Sequence, residues 1–243
     1  MSDGKGLEMK ISVCMATYNG EKFIKEQLAS ILHQLDETDE VIISDDSSTD
    51  ETVNIIESFD DARVRIYKDQ VFKSPIFNFE NALKKSSGDY IFLADQDDIW
   101  MPGKVEIIKT FLVDYDLVLS DANIIDAEGN IINDSFYLFN NSKNGLINNI
   151  IKNSYLGCTM AFNKRLLERA LPFPNDIPMH DWWIGVLGEW FGRTIFIKDK
   201  LISYRRHGNN ASPSGKSNYS FCKKIMFRLR VLKDLIKRAY TWK

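Results

Sequence analysis

The chain has 243 residues, 44% of them apolar and 27% charged, with a formal net charge of −3. That length and balance suit one α/β domain with one filled core and exclude a disordered or collagen-like chain. No apolar run nears the roughly 18 residues of a membrane-spanning helix, and three scattered cysteines, Cys14, Cys158 and Cys222, exclude a disulfide framework or a zinc ribbon.

Ile11, Val13 and Met15 mark a strand over Lys10 to Met15, followed by the turn-prone Thr17-Tyr18-Asn19-Gly20. Phe23 to Leu35 keeps its apolar residues on one helical face, and Val41, Ile42 and Ile43 return the chain to a strand over Glu40 to Ser44. Asp45 to Glu51 reads as a capping-type start to a helix ending near Ser58. A strand is expected over Arg63 to Tyr67, a helix over Phe77 to Lys85, and a strand apolar enough to be buried on both faces over Tyr90 to Ala94. This alternation predicts an α/β fold with a mostly parallel central sheet flanked by helices. The Asn-rich stretch from about Asn123 to Asn153 carries few element signals.

Trp182 to Phe191 reads as a helix apolar nearly all round, so its tryptophans are expected mostly in the core, with Trp182 or Trp183 turned to a ligand. A strand over Leu201 to Arg205 leads into a polar segment holding His207, and Ala211 to Asn218 reads as a cover able to close over a ligand. Cys222 to Lys243 holds eight basic residues against one acid, leaving 23 basic and 33 acidic residues in the rest of the chain. Its apolar residues recur at spacings of three and four, which predicts an amphipathic basic helix over 222–243 appended to an acidic body over 1–221. Such a helix fits an anionic membrane surface or the protein's own core. Nucleic acid is not expected as a partner, because phosphates repel an acidic body.

In parallel α/β sheets ligands bind at the carboxyl ends of the strands. The predicted strands end in Thr17-Tyr18-Asn19, in Asp45-Asp46 and in Asp95-Gln96-Asp97-Asp98, so polar and acidic groups converge on one edge. Clustered carboxylates repel one another unless a divalent cation such as Mg²⁺ or Mn²⁺ joins them, and such an ion retains positions for diphosphate oxygens. Neither G-x-x-x-x-G-K-[ST] nor G-x-G-x-x-G follows the first strand, which argues against a P-loop NTPase and a dinucleotide dehydrogenase.

Four pieces in this order, Ile11 to Asn19, Ile43 to Asp50, Ala94-Asp95-Gln96-Asp97-Asp98 and His180-Asp181-Trp182-Trp183, resemble the family 2 glycosyltransferases, whose nucleotide-sugar-binding fold is called GT-A. Tyr204 to Asn210 is similar to a segment of the rhamnosyltransferase-like branch, which builds bacterial polysaccharides from dTDP- or UDP-activated sugars. The resemblance implies an inverting, metal-dependent transferase using Mn²⁺ or Mg²⁺, with a nucleotide-sugar donor and a lipid-linked glycan acceptor, working in the cytoplasm or at the inner face of the plasma membrane. Thr17, Tyr18 and Asn19 then border the nucleotide, with Tyr18 against the base and Asp46 accepting a hydrogen bond from the base N–H. Asp95 meets the ribose and Asp97 the metal, Asp181 is the catalytic base and His180 orients it. His207 joins the metal, or binds phosphate with Arg205 and Arg206. Asp98 has no role in the resemblance and is expected to cap a helix starting near Pro102, while His33 on the first helix is expected as a surface or packing residue. The competing classes are a sugar nucleotidyltransferase and a non-catalytic subunit of a polysaccharide assembly.

Overall fold

The computed structural model describes residues 9–208, 210 and 220–241. The first half alternates strictly: β1 (Ile11–Thr17), α1 (Ile24–Leu32), β2 (Glu40–Asp45), α2 (Thr52–Glu57), β3 (Val64–Tyr67), α3 (Pro75–Lys85) and β4 (Tyr90–Asp95). Then come β5 (Ile99–Trp100), α4 (Lys104–Leu112), β6 (Leu117–Ile125), β7 (Ile131–Asn133), α5 (Phe136–Asn140) and α6 (Leu146–Ile151). A 3-10 turn (Gly157–Thr159) precedes β8 (Met160–Asn163), α7 (Lys164–Ala170), α8 (His180–Phe191), β9 (Thr194–Arg205) and α9 (Phe221–Thr241).

The strands form one sheet in the order β3-β2-β1-β4-β8-β6-β9-β5, with β7 also on β6. From β3 to β4 every pairing is parallel, as the alternation predicts. Beyond β4 the sheet becomes mixed: β8 runs antiparallel to both β4 and β6, β9 parallel to β6, and β5 antiparallel to β9. The longest pairings, β1–β2, β1–β4 and β6–β9, are all parallel, so the sheet is mostly parallel, and the antiparallel contacts are the short ones made by β8, β5 and β7. Pairing between β4 and β8 stops at Phe92, so Leu93 to Asp95 run on beyond β8.

Neighbouring residues of the central strands point to opposite faces, and each face has its own core. Val13, Met15, Ile43 and Phe92 pack under α1, α2 and α4, while Cys14, Ile42, Ile91 and Leu93 pack under α3, α7 and α8. Burial on both sides is why these strands read as continuous apolar runs.

Ahead of α2, Asp50 Oδ1 accepts from Thr52 N at 3.1 Å, as a capping-type start requires, although the N-cap residue Glu51 makes no cap bond of its own; the same turn also bonds across to the turn after β1, where Thr52 Oγ1 accepts from Gly20 N at 2.7 Å and Asp50 Oδ2 from Glu21 N at 3.2 Å. Asp98 does not cap α4, which starts at Lys104 behind Gly103 in a left-handed conformation. Helix α9 begins at Phe221 and buries Val231 and Leu235 completely in the second core. No helix among the described residues is long and apolar enough to cross a membrane.

Candidate active site

The carboxyl ends of β1, β2 and β4 and the amino end of α8 surround a cavity of about 610 Å³. Tyr18, 57% exposed, borders it. Its backbone is clamped by Gln96, whose Oε1 accepts from Tyr18 N at 2.9 Å and whose Nε2 donates to Tyr18 O at 3.0 Å. Gly20 makes room for that clamp, since a Cβ there would lie 2.5 Å from Gln96 Cδ. Asp46 also faces the cavity, and its Oδ1 accepts from Phe72 N at 2.6 Å. Thr17 borders the cavity, but its hydroxyl donates to buried Asp45 at 2.8 Å, while Asn19 Oδ1 accepts from Thr49 N at 2.8 Å and does not line the cavity.

At the end of β4, Asp95 and Asp97 face the cavity and Asp98 does not. Burial, with Asp97 and Asp181 nearby, pushes the Asp95 carboxyl up to about 8. Asp97 Oδ2 is 2.7 Å from His207 Nε2 and accepts from Asn210 Nδ2 at 3.0 Å, so two residues 110 or more positions later converge on it. Asp98 is fully buried, and its Oδ1 accepts from Arg205 N at 2.9 Å. Burial and the neighbouring carboxylates hold its carboxyl well above the usual range.

Arg205 is not at the cavity. It is 3% exposed, and its guanidinium bonds Asp97 O at 2.8 Å, Ala127 O at 3.0 Å and Glu26 at 2.7 Å, over the ring of Phe23. Its bond to Asp97 O supports the acidic turn from behind, and the others tie that support to Ala127 after β6 and to Glu26 on α1. Arg206 Nη1 donates to Tyr204 Oη at 2.8 Å and does not line the cavity. The segment 211–218, expected as a cover, lies outside the described residues.

Asp181 stands in the first turn of α8, one residue inside the helix, whose N-cap is Met179. Main-chain N–H groups of Trp182 and Gly157 lower its carboxyl, but burial outweighs them and pushes it up to about 7. That outcome suits a general base, whose effective range lies near neutral pH. His180 beside it is buried, stacks on Phe79 at 4.1 Å between ring centroids, and has no hydrogen-bond partner at either nitrogen. Burial lowers its pKa to about 3, so the ring is neutral. Gly157 is tight against this pair, because a Cβ there would lie 3.3 Å from His180 Nε2 and 3.5 Å from Asp181 Cβ. Neither tryptophan lines the cavity: Trp182 Nε1 donates to Asn149 O at 2.9 Å and Trp183 Nε1 to Ala170 O at 3.0 Å, both inside the core. His33 is exposed, as expected.

Four carboxylates, Asp46, Asp95, Asp97 and Asp181, thus face the cavity against one lysine, Lys73, among the described residues. Asp97 and His207 offer a divalent cation two ligand atoms: adjacent ligands of an octahedral ion with bonds near 2.1 Å sit about 3 Å apart, and the Asp97 oxygen and His207 nitrogen, here hydrogen-bonded to each other, are 2.7 Å apart. The other cavity carboxylates do not close on that pair among the described residues, where the close-set ligand group is Asp95, Asp98 and Cys158. Carboxylate and imidazole together suit Mn²⁺, and carboxylate alone Mg²⁺.

An α/β sheet carrying an acidic turn at the end of β4, the fourth strand of a parallel run, is the architecture of a GT-A nucleotide-sugar transferase. Residues 12–171 match the model of glycosyl transferase family 2, and the chain belongs to that family. It is 30% identical over 237 residues to the dTDP-rhamnosyl transferase RfbG of Shigella flexneri, covering 84% of this chain and 76% of that protein. It is 27% identical over 179 residues to an Escherichia coli protein, WfgD, described as a UDP-Glc:alpha-D-GlcNAc-diphosphoundecaprenol beta-1,3-glucosyltransferase, covering 73% of this chain and 69% of that one. Among solved structures, TarS 1-349 of S. aureus in complex with UDP superposes with a TM-score of 0.70 at 21% identity, covering 94% of this chain and 65% of that chain. The mannosyltransferase PcManGT of Pyrobaculum calidifontis, in complex with GDP-Man and Mn²⁺, gives 0.61 at 20% identity, with 96% and 64% covered. Membership of this family displaces the sugar nucleotidyltransferase alternative.

Proposed function

We propose that the chain is a metal-dependent inverting glycosyltransferase that moves a hexosyl or rhamnosyl unit from a UDP- or dTDP-linked donor to a hydroxyl of a growing, lipid-linked bacterial glycan. The observation that carries this reading is the charge of the cavity: four carboxylates against one lysine is a poor home for a diphosphate unless a cation joins them. Asp97 and His207 would hold Mn²⁺ or Mg²⁺, which when bound neutralises charge on the leaving diphosphate. Tyr18 packs on the nucleobase, Asp46 accepts from its N–H, and Asp95 meets the ribose. Thr17, Asn19 and Arg205 serve by holding these groups in place.

Asp181 takes the proton of the acceptor hydroxyl as that oxygen attacks the anomeric carbon. The bond from that carbon to the diphosphate oxygen breaks with its electron pair leaving on the diphosphate, and configuration inverts. A base near pH 7 suffices, because the hydroxyl becomes acidic only as the new bond forms. The relatives' names support a nucleotide-sugar donor, and in WfgD a diphosphoundecaprenol-linked acceptor. A lipid-linked acceptor brings the enzyme to the cytoplasmic face of a membrane, with α9 as the element that meets it.

The test is release of nucleoside diphosphate from a panel of UDP-, dTDP- and GDP-sugars with Mn²⁺ or Mg²⁺, for the parent chain and for Asp97→Asn. Release from one donor, abolished by chelator and by Asp97→Asn, is the expected result. Turnover that persists in chelator sinks the metal-dependent reading, and function retained by both Asp97→Asn and Asp181→Asn points to the non-catalytic subunit.

A further inference from the structure

Helix α9 has more apolar surface than its packing uses. One side of its 21 residues, centred on Val231 and Leu235, is buried against the core. Arg228 near one end bonds Ile151 O, and Arg238 near the other bonds Leu171 O at 2.7 Å, so both ends are fastened. At about 100° per residue, Leu229, Ile236 and Tyr240 fall on the side facing away from Val231, with Ile225 on its flank. They are 61%, 49%, 75% and 40% exposed. A helix stabilised only by packing on its own domain has no use for this second stripe.

The stripe is edged by charge of one sign. Lys233 and Lys237, both exposed, lie on the same outward side, and the whole segment from Cys222 to Lys243 has one acid, Asp234, against eight basic residues. Apolar surface continues beside it on α6, where Ile147 and Ile151 are 74% and 61% exposed and the Arg228 bond to Ile151 O fixes the two helices together.

We infer that this outer face of α9 docks on an anionic lipid bilayer, lying in the plane of the interface with Leu229, Ile236 and Tyr240 toward the acyl chains and Lys233 and Lys237 on headgroup phosphates. The inference deepens, and rests on, the lipid-linked acceptor proposed above. Charge complementarity selects the occupant. A second copy of the helix would bring cationic faces together, whereas an anionic bilayer offers apolar depth and negative charge at once. The acidic remainder of the chain is repelled by the same surface, which favours contact through α9. Helix α9 packs on α8, the helix that carries Asp181 at its amino end, so the docked element lies one helix from the proposed base.

The test is co-sedimentation of the full chain with vesicles of phosphatidylglycerol mixed with phosphatidylcholine and with vesicles of phosphatidylcholine alone, without donor sugar. The expected result is binding to the anionic vesicles only, weakened by salt. Lys233→Gln with Lys237→Gln should weaken it roughly thirtyfold, from about 1 kcal/mol per basic residue, and Leu229→Glu with Ile236→Glu should abolish it. Parent protein that ignores anionic vesicles, variants that bind like the parent, or a stable dimer split by Leu229→Glu would each overturn the inference. Titration of the same variants with UDP and dTDP in the presence of Mn²⁺, free of lipid, keeps the two readings apart. Unchanged nucleotide binding in a variant that no longer sediments isolates the docking face, and sedimentation without any nucleotide binding counts against the transferase reading alone.

Discussion

Arg205 Nε donates to the main-chain oxygen of Asp97 at 2.8 Å while the Asp97 carboxylate itself meets His207 Nε2 at 2.7 Å. The arginine therefore fixes the backbone of the acidic turn and leaves the carboxylate to the cavity. The main-chain N–H of Arg205 on Asp98 at 2.9 Å completes the clamp.

Replacing Arg205 with Met keeps the bulk and removes every guanidinium donor. The carbonyls of Asp97 and Ala127 then lose buried partners, and a loss of about 3 kcal/mol in unfolding free energy is expected, measured by chemical denaturation. Donor KM should rise as well. A variant of parental stability with only its KM raised would return Arg205 to phosphate binding.

Gly20→Ala tests the Gln96 clamp. The new Cβ would fall 2.5 Å from Gln96 Cδ and Oε1, and the flexible amide must swing aside, releasing both bonds to the Tyr18 backbone. The expected outcome is a several-fold weaker donor with a stability loss of no more than about 2 kcal/mol. Isothermal titration of the nucleotide alongside thermal melting separates the two quantities, and unchanged nucleotide affinity would show the clamp to be idle.

Asp181 sets opposite pH dependences for activity and stability. Its folded pKa, about 7, lies above the ordinary value of 3.8, so the folded chain holds the proton more tightly than the unfolded one. The resulting stability is complete below about pH 4 and is lost as pH rises through 7. Asp181→Asn has no such loss, and its stability relative to the parent should improve between pH 4 and pH 8. Parental kcat/KM should instead climb to a plateau above about pH 7 as the base ionises. A flat activity profile across this range would remove Asp181 from the role of base.

His180→Phe is expected to hold or raise stability. Both ring nitrogens lack partners, and an unpartnered buried polar group costs about 1–3 kcal/mol, whereas a phenyl ring can keep the stack on Phe79. A clear loss on denaturation would mean that the imidazole is hydrogen-bonded in solution.

The first half of the fold was legible because strands buried on both faces stand out as apolar runs, and Tyr90 to Ala94 is the plainest case. Strand β9 was legible only in part. Lys198-Asp199-Lys200 interrupts its alternation, yet the chain stays extended through these exposed residues while β6 shifts register opposite them. In the site, strand ends announced Tyr18, Asp46, Asp95 and Asp97, which all reach the cavity. Composition misled at Arg205: a basic residue near acids reads as a phosphate ligand, and only the tertiary structure reveals carbonyls closing on its guanidinium. Gln96 was visible inside the acidic motif, but its clamp on a residue 78 positions earlier has no local signature.

The early end of pairing between β4 and β8 has an evolutionary reading. Tyr18, Asp46, Asp95 and Asp97 all precede this seam in the sequence, and Asp181 follows it. On the proposed roles, a gene spliced between β4 and β8 would take the nucleoside contacts from one parent, and the catalytic base together with His207 and Arg205 behind Asp97 from the other. With β4–β8 pairing confined to Tyr90, Ile91 and Phe92, such a hybrid has few backbone bonds to re-register there, and its fitness would turn on whether the incoming His207 and Arg205 still meet the resident acidic turn.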